Sequence, residues 1–254
     1  MEPTVWRQRL LGAVVTVTGN LYLLAGTILM STFSVLLCWG PQRDVVAYTI
    51  CKLWSRGILT SCGVRLETRY DPGLDRAASY VFLANHQSLL DIPVVLLSAP
   101  GQVRLVAKRS LFRIPLFGWA MAVAGFIPVD RNDRSTARQT FSQATAKLRG
   151  GTSVALFPEG TRAKGDVLLP FQRGGFLIAL RSGLPIVPVG IRGTRALRST
   201  RSLAIRPGSA AVAYGAPIDP AQFGLRRKAE LAAEVRRRIA ELAGLSAGED
   251  GGTI

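Results

Sequence analysis

Tyr80-Val81-Phe82-Leu83-Ala84-Asn85-His86-Gln87-Ser88-Leu89-Leu90-Asp91 runs from an apolar, strand-like segment through a short polar loop towards the start of a helix. His86 is the only histidine among 254 residues. Histidine is also the side chain whose ordinary titration lies nearest neutrality, so His86 is the first candidate for proton transfer. On one regular helix, the five-residue step from His86 to Asp91 would turn the two side chains about 140° apart. Ser88 stands three residues before Asp91 in a capping-box-like arrangement, and Pro93 is tolerated in a first helical turn. A helix therefore begins inside this stretch. His86 is expected in the loop before it, with Asp91 in the first turn folding back to accept from one ring nitrogen and leaving the other free as a base.

Outward from this stretch, short apolar runs alternate with helical patterns. Strands are expected at Val64 to Thr68, Tyr80 to Ala84, Val103 to Ala107, Phe126 to Val129, Ser153 to Phe157 and Ile186 to Ile191. Helices are expected at Asp91 to Leu97, Leu111 to Ala124, Ser135 to Leu148 and Gly174 to Ser182. Continuous apolar strands between amphipathic helices imply an α/β fold with a mostly parallel central sheet flanked by helices. Leu203 to Tyr214, broken at Pro207-Gly208, reads as a closing hairpin. Leu225 to Leu242 reads as an amphipathic helix with Leu231, Val235, Ile239 and Leu242 inward. Its arginines, Arg236 among them, are expected on a solvated or lipid-facing surface.

Before the sheet, Leu10 to Gln42 carries no charged residue and is flanked by Arg7, Arg9 and Arg43. A single helix of that length would reach about 50 Å, against about 30 Å for a bilayer's hydrocarbon core. A break at Gly19-Asn20 or Gly26 would instead give a helical hairpin, so an N-terminal hairpin and a tilted membrane helix both stay open. Val45 to Cys62 reads as a further helix ended by Gly63. The domain reading is a membrane-associated helical region over 1–62, an α/β domain over 63–247 and a loose tail over 248–254. More basic residues follow the apolar region than precede it, which places the bulk of the chain on the cytoplasmic side of a cell inner membrane.

Apolar residues make up 48% of the chain, enough for a packed core. Lys and Arg number 32 against 16 Asp and Glu, giving a net charge of +16 and an anionic partner. Few aromatics, and no zinc-finger, RNP-like or helix-turn-helix pattern, argue for an anionic membrane or phosphorylated substrate and against nucleic acid. Cys38, Cys51 and Cys62 lack metal-site spacing, so no metal and no cofactor is expected.

Two further stretches carry charge at strand ends. Gly125-Phe126-Ile127-Pro128-Val129-Asp130-Arg131 ends a strand with a guanidinium that can clamp phosphate bidentately. Phe157-Pro158-Glu159-Gly160-Thr161-Arg162 follows another strand and turns through Gly160. Ile186-Val187-Pro188-Val189 is an apolar strand that also reads as plain core.

Taken in order, NHQSLLD, GFIPVDR, FPEGTR and IVPV resemble the four motifs of the glycerolipid acyltransferase family, the family of the bacterial 1-acylglycerol-3-phosphate acyltransferases. The resemblance spans roughly Tyr80 to Ile191. It implies transfer of a fatty acyl chain from acyl-CoA or acyl carrier protein to a hydroxyl of a lysophospholipid acceptor. His86 would be the base and Asp91 its orienting partner. Arg131 and Arg162 would bind phosphate, Glu159, Gly160 and Thr161 would belong to acceptor binding, and Lys108 and Arg173 are weaker candidates. No G-x-S-x-G is present, which disfavours an acyl-serine intermediate. An acyltransferase for another lysolipid, such as a lyso-ornithine lipid, would use the same pair. A nonenzymatic binder of anionic membrane or nucleic acid would not need His86.

Overall fold

The structure, a computed structural model, describes residues 3–130, 142, 146, 150–172, 183–199, 202–224 and 226–247. The N-terminal region starts with Pro at the first helical position, where its missing N–H costs nothing. Helix α1 (Pro3–Leu21) passes through a π turn (Tyr22–Gly26) into α2 (Thr27–Leu37) without leaving helical geometry. Of the two alternatives the sequence leaves open, the continuous helix is the one present, with no break at Gly19-Asn20 or Gly26. Tyr22 explains the two glycines here: a Cβ on Gly26 or on Gly57 would run into its ring.

The chain turns only after Cys38, and α3 (Arg43–Ser61) runs back beside α1 and α2. Thr18 Oγ1 donates to Ser61 O at 3.0 Å and Trp54 Nε1 to Thr27 Oγ1 at 3.0 Å, which fixes the antiparallel register. The apolar run is thus one long helix, and the turn that pairs it with α3 lies after it, near Gly40. The stretch Arg9–Leu37 is long and apolar enough to cross a bilayer by length and composition. Leu10, Val17, Leu21, Leu24 and Leu36 on it are all more than half exposed.

Seven strands form one sheet: β1 (Val64–Tyr70), β2 (Val81–Ala84), β3 (Val103–Lys108), β4 (Ile127–Val129), β5 (Ser153–Leu156), β6 (Ile186–Arg192) and β7 (Gly208–Tyr214). Their order is β1-β7-β6-β2-β5-β3-β4. Strands β2 to β6 are mutually parallel, while β7 runs antiparallel to β6 and parallel to β1. The expected mostly parallel α/β sheet is present, with β2 at its centre.

Pleating splits β2 between two cores. Phe82 and Ala84 join Ile58 and Leu59 of α3 and Val94 and Val95 of α4 (Asp91–Ser98). Val81 and Leu83 join Leu231, Val235 and Ile239 of the long C-terminal helix (Lys228–Ala243). Each fully buried Val, Leu, Ile or Phe side chain among these contributes about 1.5–3 kcal/mol.

Three expectations need correction. Leu111 to Ala124 is not one helix: a 3-10 turn (Arg109–Arg113) precedes Pro115, Leu116 takes φ 64°, and α5 begins at Phe117 (Phe117–Val123). A proline in mid-helix would remove a hydrogen bond and clash with the preceding turn. Leu203 to Tyr214 is not a hairpin, because residues 202–207 form a loop and β7 finds its partners in β1 and β6. That loop instead packs on α1, where Thr16 Oγ1 donates to Ile205 O and accepts from Ile205 N.

The third correction concerns Arg236. It is buried, and its guanidinium donates to the carbonyls of Leu168, Leu169 and Ala247 at 2.6–2.8 Å. Three carbonyls outside the strands of the sheet explain why a cation turns inward there. Of the helix expected at Ser135 to Leu148, Ser142 and Ala146 are helical and the rest lies outside the described residues, as do the helix expected at Gly174 to Ser182 and the tail.

Candidate active site

Because β2, β3, β5 and β6 are parallel, their carboxyl ends open on one edge of the sheet, the usual place for a ligand in such folds. Asn85 is the first residue after β2. Its side chain donates to Ile191 O at 3.0 Å and accepts from Ile191 N at 2.7 Å, taking over the β6 ladder while the main chain turns away. The next residue, His86, therefore leaves the sheet and stands in the loop, as the sequence suggests. Phe157, just past β5, stacks on the imidazole with centroids 4.1 Å apart and planes 19° apart.

Asp91 is the first residue of α4 and is fully buried. Its Oδ2 lies 2.7 Å from His86 Nδ1 and accepts from Gln87 N at 2.6 Å and Ser88 N at 2.8 Å. Its Oδ1 accepts from Thr194 Oγ1 at 2.5 Å. A carboxylate that already takes two main-chain donors faces Nδ1, so that nitrogen carries the proton and Nε2 keeps its lone pair. The capping-box expectation is half met. Asp91 reaches back to Ser88 N, but the Ser88 hydroxyl donates instead to Arg198 O at 2.8 Å.

Glu159 sits on the other side of the histidine and is only 2% exposed. Its Oε1 accepts from His86 N at 2.7 Å and its Oε2 from Leu169 N at 2.9 Å, so both oxygens brace main chain. Burial raises its pKa to about 7, against the opposing pull of those two N–H groups. Such an acid destabilises the fold as pH rises from about 4.5, where the unfolded chain begins to lose its proton, to about 7. Wild-type stability relative to Glu159→Gln is expected to fall across that window, by at most about 1.4 kcal/mol per pH unit, and to level off above it. Urea unfolding of both proteins between pH 4.5 and 8 checks this.

The other candidates are spread along the same edge. Gly160 is buried and takes φ 74°, a left-handed conformation that lets the chain double back after Glu159. Thr161 is exposed and Arg162 half-buried in the turn that follows, and Ala163 N donates to His86 O at 2.7 Å. Lys108 is exposed at the carboxyl end of β3. Arg131 and Arg173 lie outside the described residues.

Sequence reasoning missed Thr194, Asn85 and Phe157 as parts of this site. Thr194 follows Gly193, whose φ of 84° kinks the chain just past β6, the parallel neighbour of β2, and no sequence spacing signals its meeting with Asp91. No metal-binding group of His, Cys, Asp and Glu occurs among the described residues.

Residues 67–192 match the family described as Acyltransferase. A 1-acyl-sn-glycerol-3-phosphate acyltransferase of Escherichia coli is 31% identical over 222 residues, which are 85% of this chain and 89% of that protein. This chain belongs to the acyltransferase family. Chloroplastic 1-acyl-sn-glycerol-3-phosphate acyltransferases of Arabidopsis thaliana and Brassica napus are 34% and 37% identical over 81% and 63% of this chain. It spans only 56% and 45% of their lengths, about half. The crystal structure of a 1-acyl-sn-glycerophosphate (LPA) acyltransferase from Thermotoga maritima shares the fold, with a TM-score of 0.70, 24% identity, and 93% of this chain and 96% of that one covered.

Proposed function

We propose that this protein is a membrane-associated 1-acyl-sn-glycerol-3-phosphate O-acyltransferase that makes phosphatidic acid. The observation that carries the reading is the 2.7 Å contact of His86 Nδ1 with Asp91, at the carboxyl end of the central strand. A thioester, from acyl-CoA or acyl carrier protein, presents a carbonyl carbon to the free hydroxyl of the lysolipid. As the C–O bond forms, Nε2 of His86 takes the hydroxyl proton, and Asp91 stabilises the resulting imidazolium. The C–S bond then breaks, and the departing thiolate takes the proton back from Nε2. The base is thereby restored with no protein nucleophile consumed.

Gly160, Thr161 and Arg162 are assigned to the acceptor, and Glu159 serves them by holding their turn against His86. Arg131, Lys108 and Arg173 are assigned to the phosphates of acceptor or donor. The helical region over 1–62 is assigned to a bilayer with anionic lipid, its apolar α1–α2 face in the membrane and the 63–247 domain on the cytoplasmic side of the inner membrane. The exposed leucines of α1 and α2 support that contact.

Purified full-length chain, supplied with labelled acyl-CoA or labelled acyl carrier protein, tests the proposal against a panel of acceptors. Label is expected in phosphatidic acid when lysophosphatidic acid is the acceptor. Label only in an acylated aminolipid, such as ornithine lipid, would overturn the acceptor assignment.

A further inference from the structure

Of the donors that meet Asp91, those of His86, Gln87 and Ser88 come from the loop before its own helix, and that of Thr194 comes from 103 residues away. The three local donors all face Oδ2. Oδ1 accepts from Thr194 Oγ1 at 2.5 Å, and among the described residues no other group is bonded to that oxygen. Asp91 and Thr194 are both 0% exposed, so water does not take the hydroxyl's place.

The segment that carries Thr194 is tied to the catalytic loop at three points. Asn85 exchanges two hydrogen bonds with Ile191, Thr194 reaches Asp91, and Ser88 Oγ donates to Arg198 O at 2.8 Å. Gly193, at φ 84°, makes the turn between the first two, and a Cβ there would stand 2.6 Å from Ser209 O of β7. Main chain on both sides thus sets where the hydroxyl stands. Within helices, Thr18, Thr32 and Thr49 each donate to the carbonyl four residues back. Thr194 opens the short helix Thr194–Leu197, has no helical carbonyl behind it, and gives its proton to the carboxylate instead.

A carboxylate held at one oxygen can still turn about its Cβ–Cγ bond. Held at both, its plane is set, and with it the line from Oδ2 to His86 Nδ1. The bond is also charge-assisted, so it favours the ionised carboxylate that keeps a proton on Nδ1 and the lone pair on Nε2. We infer that Thr194 is a positioning residue for acyl transfer: its hydroxyl, on the turn after β6, orients Asp91 and through it the imidazole of His86. The effect on rate rests on the function proposed above; the orientation of the ring is measured without it.

Because His86 is the only histidine, isotope-labelled histidine reports a single ring by NMR. Full-length protein in neutral detergent is expected to show one downfield, slowly exchanging Nδ1–H resonance. Thr194→Val keeps the shape and removes the donor. It should move that resonance upfield or broaden it by exchange, and lower kcat roughly tenfold with KM for acyl donor and lysophosphatidic acid little changed. Thr194→Ser, which keeps the donor, should return both resonance and kcat to near the wild type. In an Asp91→Asn background, where the hydroxyl faces no charge, Thr194→Val should lower kcat far less than it does alone.

An unmoved resonance in Thr194→Val would overturn the inference whatever the rate does. A loss of kcat by the same factor in both backgrounds would also overturn it, as would a Thr194→Ser as impaired as Thr194→Val, since either marks a residue that serves only the packing of its turn. Should Thr194→Val not fold, Thr194→Cys, whose thiol is a weaker donor, carries the same prediction at several-fold, and a wild-type resonance and rate there would overturn it. A ring that responds to Thr194→Val in a protein that acylates no lysophosphatidic acid would refute the proposed function and leave the positioning of His86 standing.

Discussion

His86→Ala is expected to lower acyl transfer by about 10²- to 10⁴-fold while the fold persists. The factor is what a positioned base contributes to a step whose attacking hydroxyl must lose its proton as it bonds. Persistence of the fold follows from where the residue's other contacts lie. Its N–H donates to Glu159 and its carbonyl accepts from Ala163, and both are main-chain groups that alanine retains. Only the ring, its stacking on Phe157 and its bond to Asp91 are lost. Initial rates and a urea melt on the same preparation separate the two effects. A wild-type rate, or a collapsed melting curve, would each contradict this.

Asp91 should separate chemistry from stability in a different way. Alanine there strips an acceptor from four donors at once: His86 Nδ1, Gln87 N, Ser88 N and the Thr194 hydroxyl. Gln87, Ser88 and Thr194 are buried, so water cannot replace the carboxylate. Each orphaned buried donor costs about 1–3 kcal/mol. Asp91→Ala should therefore lose activity about as fully as His86→Ala, and several kcal/mol of stability besides.

Asparagine behaves otherwise. Its amide oxygen can stay with the three donors at Oδ2, while the Thr194 hydroxyl rotates to accept from the amide nitrogen. Most of the stability should survive, yet a neutral amide does not stabilise an imidazolium, so the rate should still fall by about 10²-fold or more. Equal stability losses in the two variants would contradict the hydrogen-bond pattern. A near-normal rate in Asp91→Asn would contradict its electrostatic role.

The fold was legible where one physical cause dominated. Runs such as Val81 to Ala84 and Ser153 to Leu156 are apolar throughout because both faces of their strands are buried, and that reads directly as a parallel sheet. The His86–Asp91 pair was legible because it closes over five residues, within the reach of local helix-start chemistry. Thr194 meets Asp91 across 103 residues and Asn85 meets Ile191 across 106, and no spacing rule reaches that far.

Arg236 misled for the opposite reason. Within a basic run it has the look of a solvated residue, and only the three carbonyls brought by Leu168, Leu169 and Ala247 draw it inward. Hairpin and continuous helix both stayed open in the sequence because Gly26 can break a helix. Packed against Tyr22, it instead permits a π turn that keeps the helix going.

A single-turnover experiment tests most directly whether the substrate's own hydroxyl is the nucleophile and His86 its base. Wild-type protein and His86→Ala are each mixed with less than one equivalent of labelled acyl donor, first alone and then with lysophosphatidic acid. Direct attack predicts no label on the wild-type protein before acceptor is added, prompt label in phosphatidic acid afterwards, and a rate in His86→Ala lower by about 10²-fold or more. An acylated protein that forms without acceptor and passes its label on, or a His86→Ala rate near that of the wild type, would contradict it.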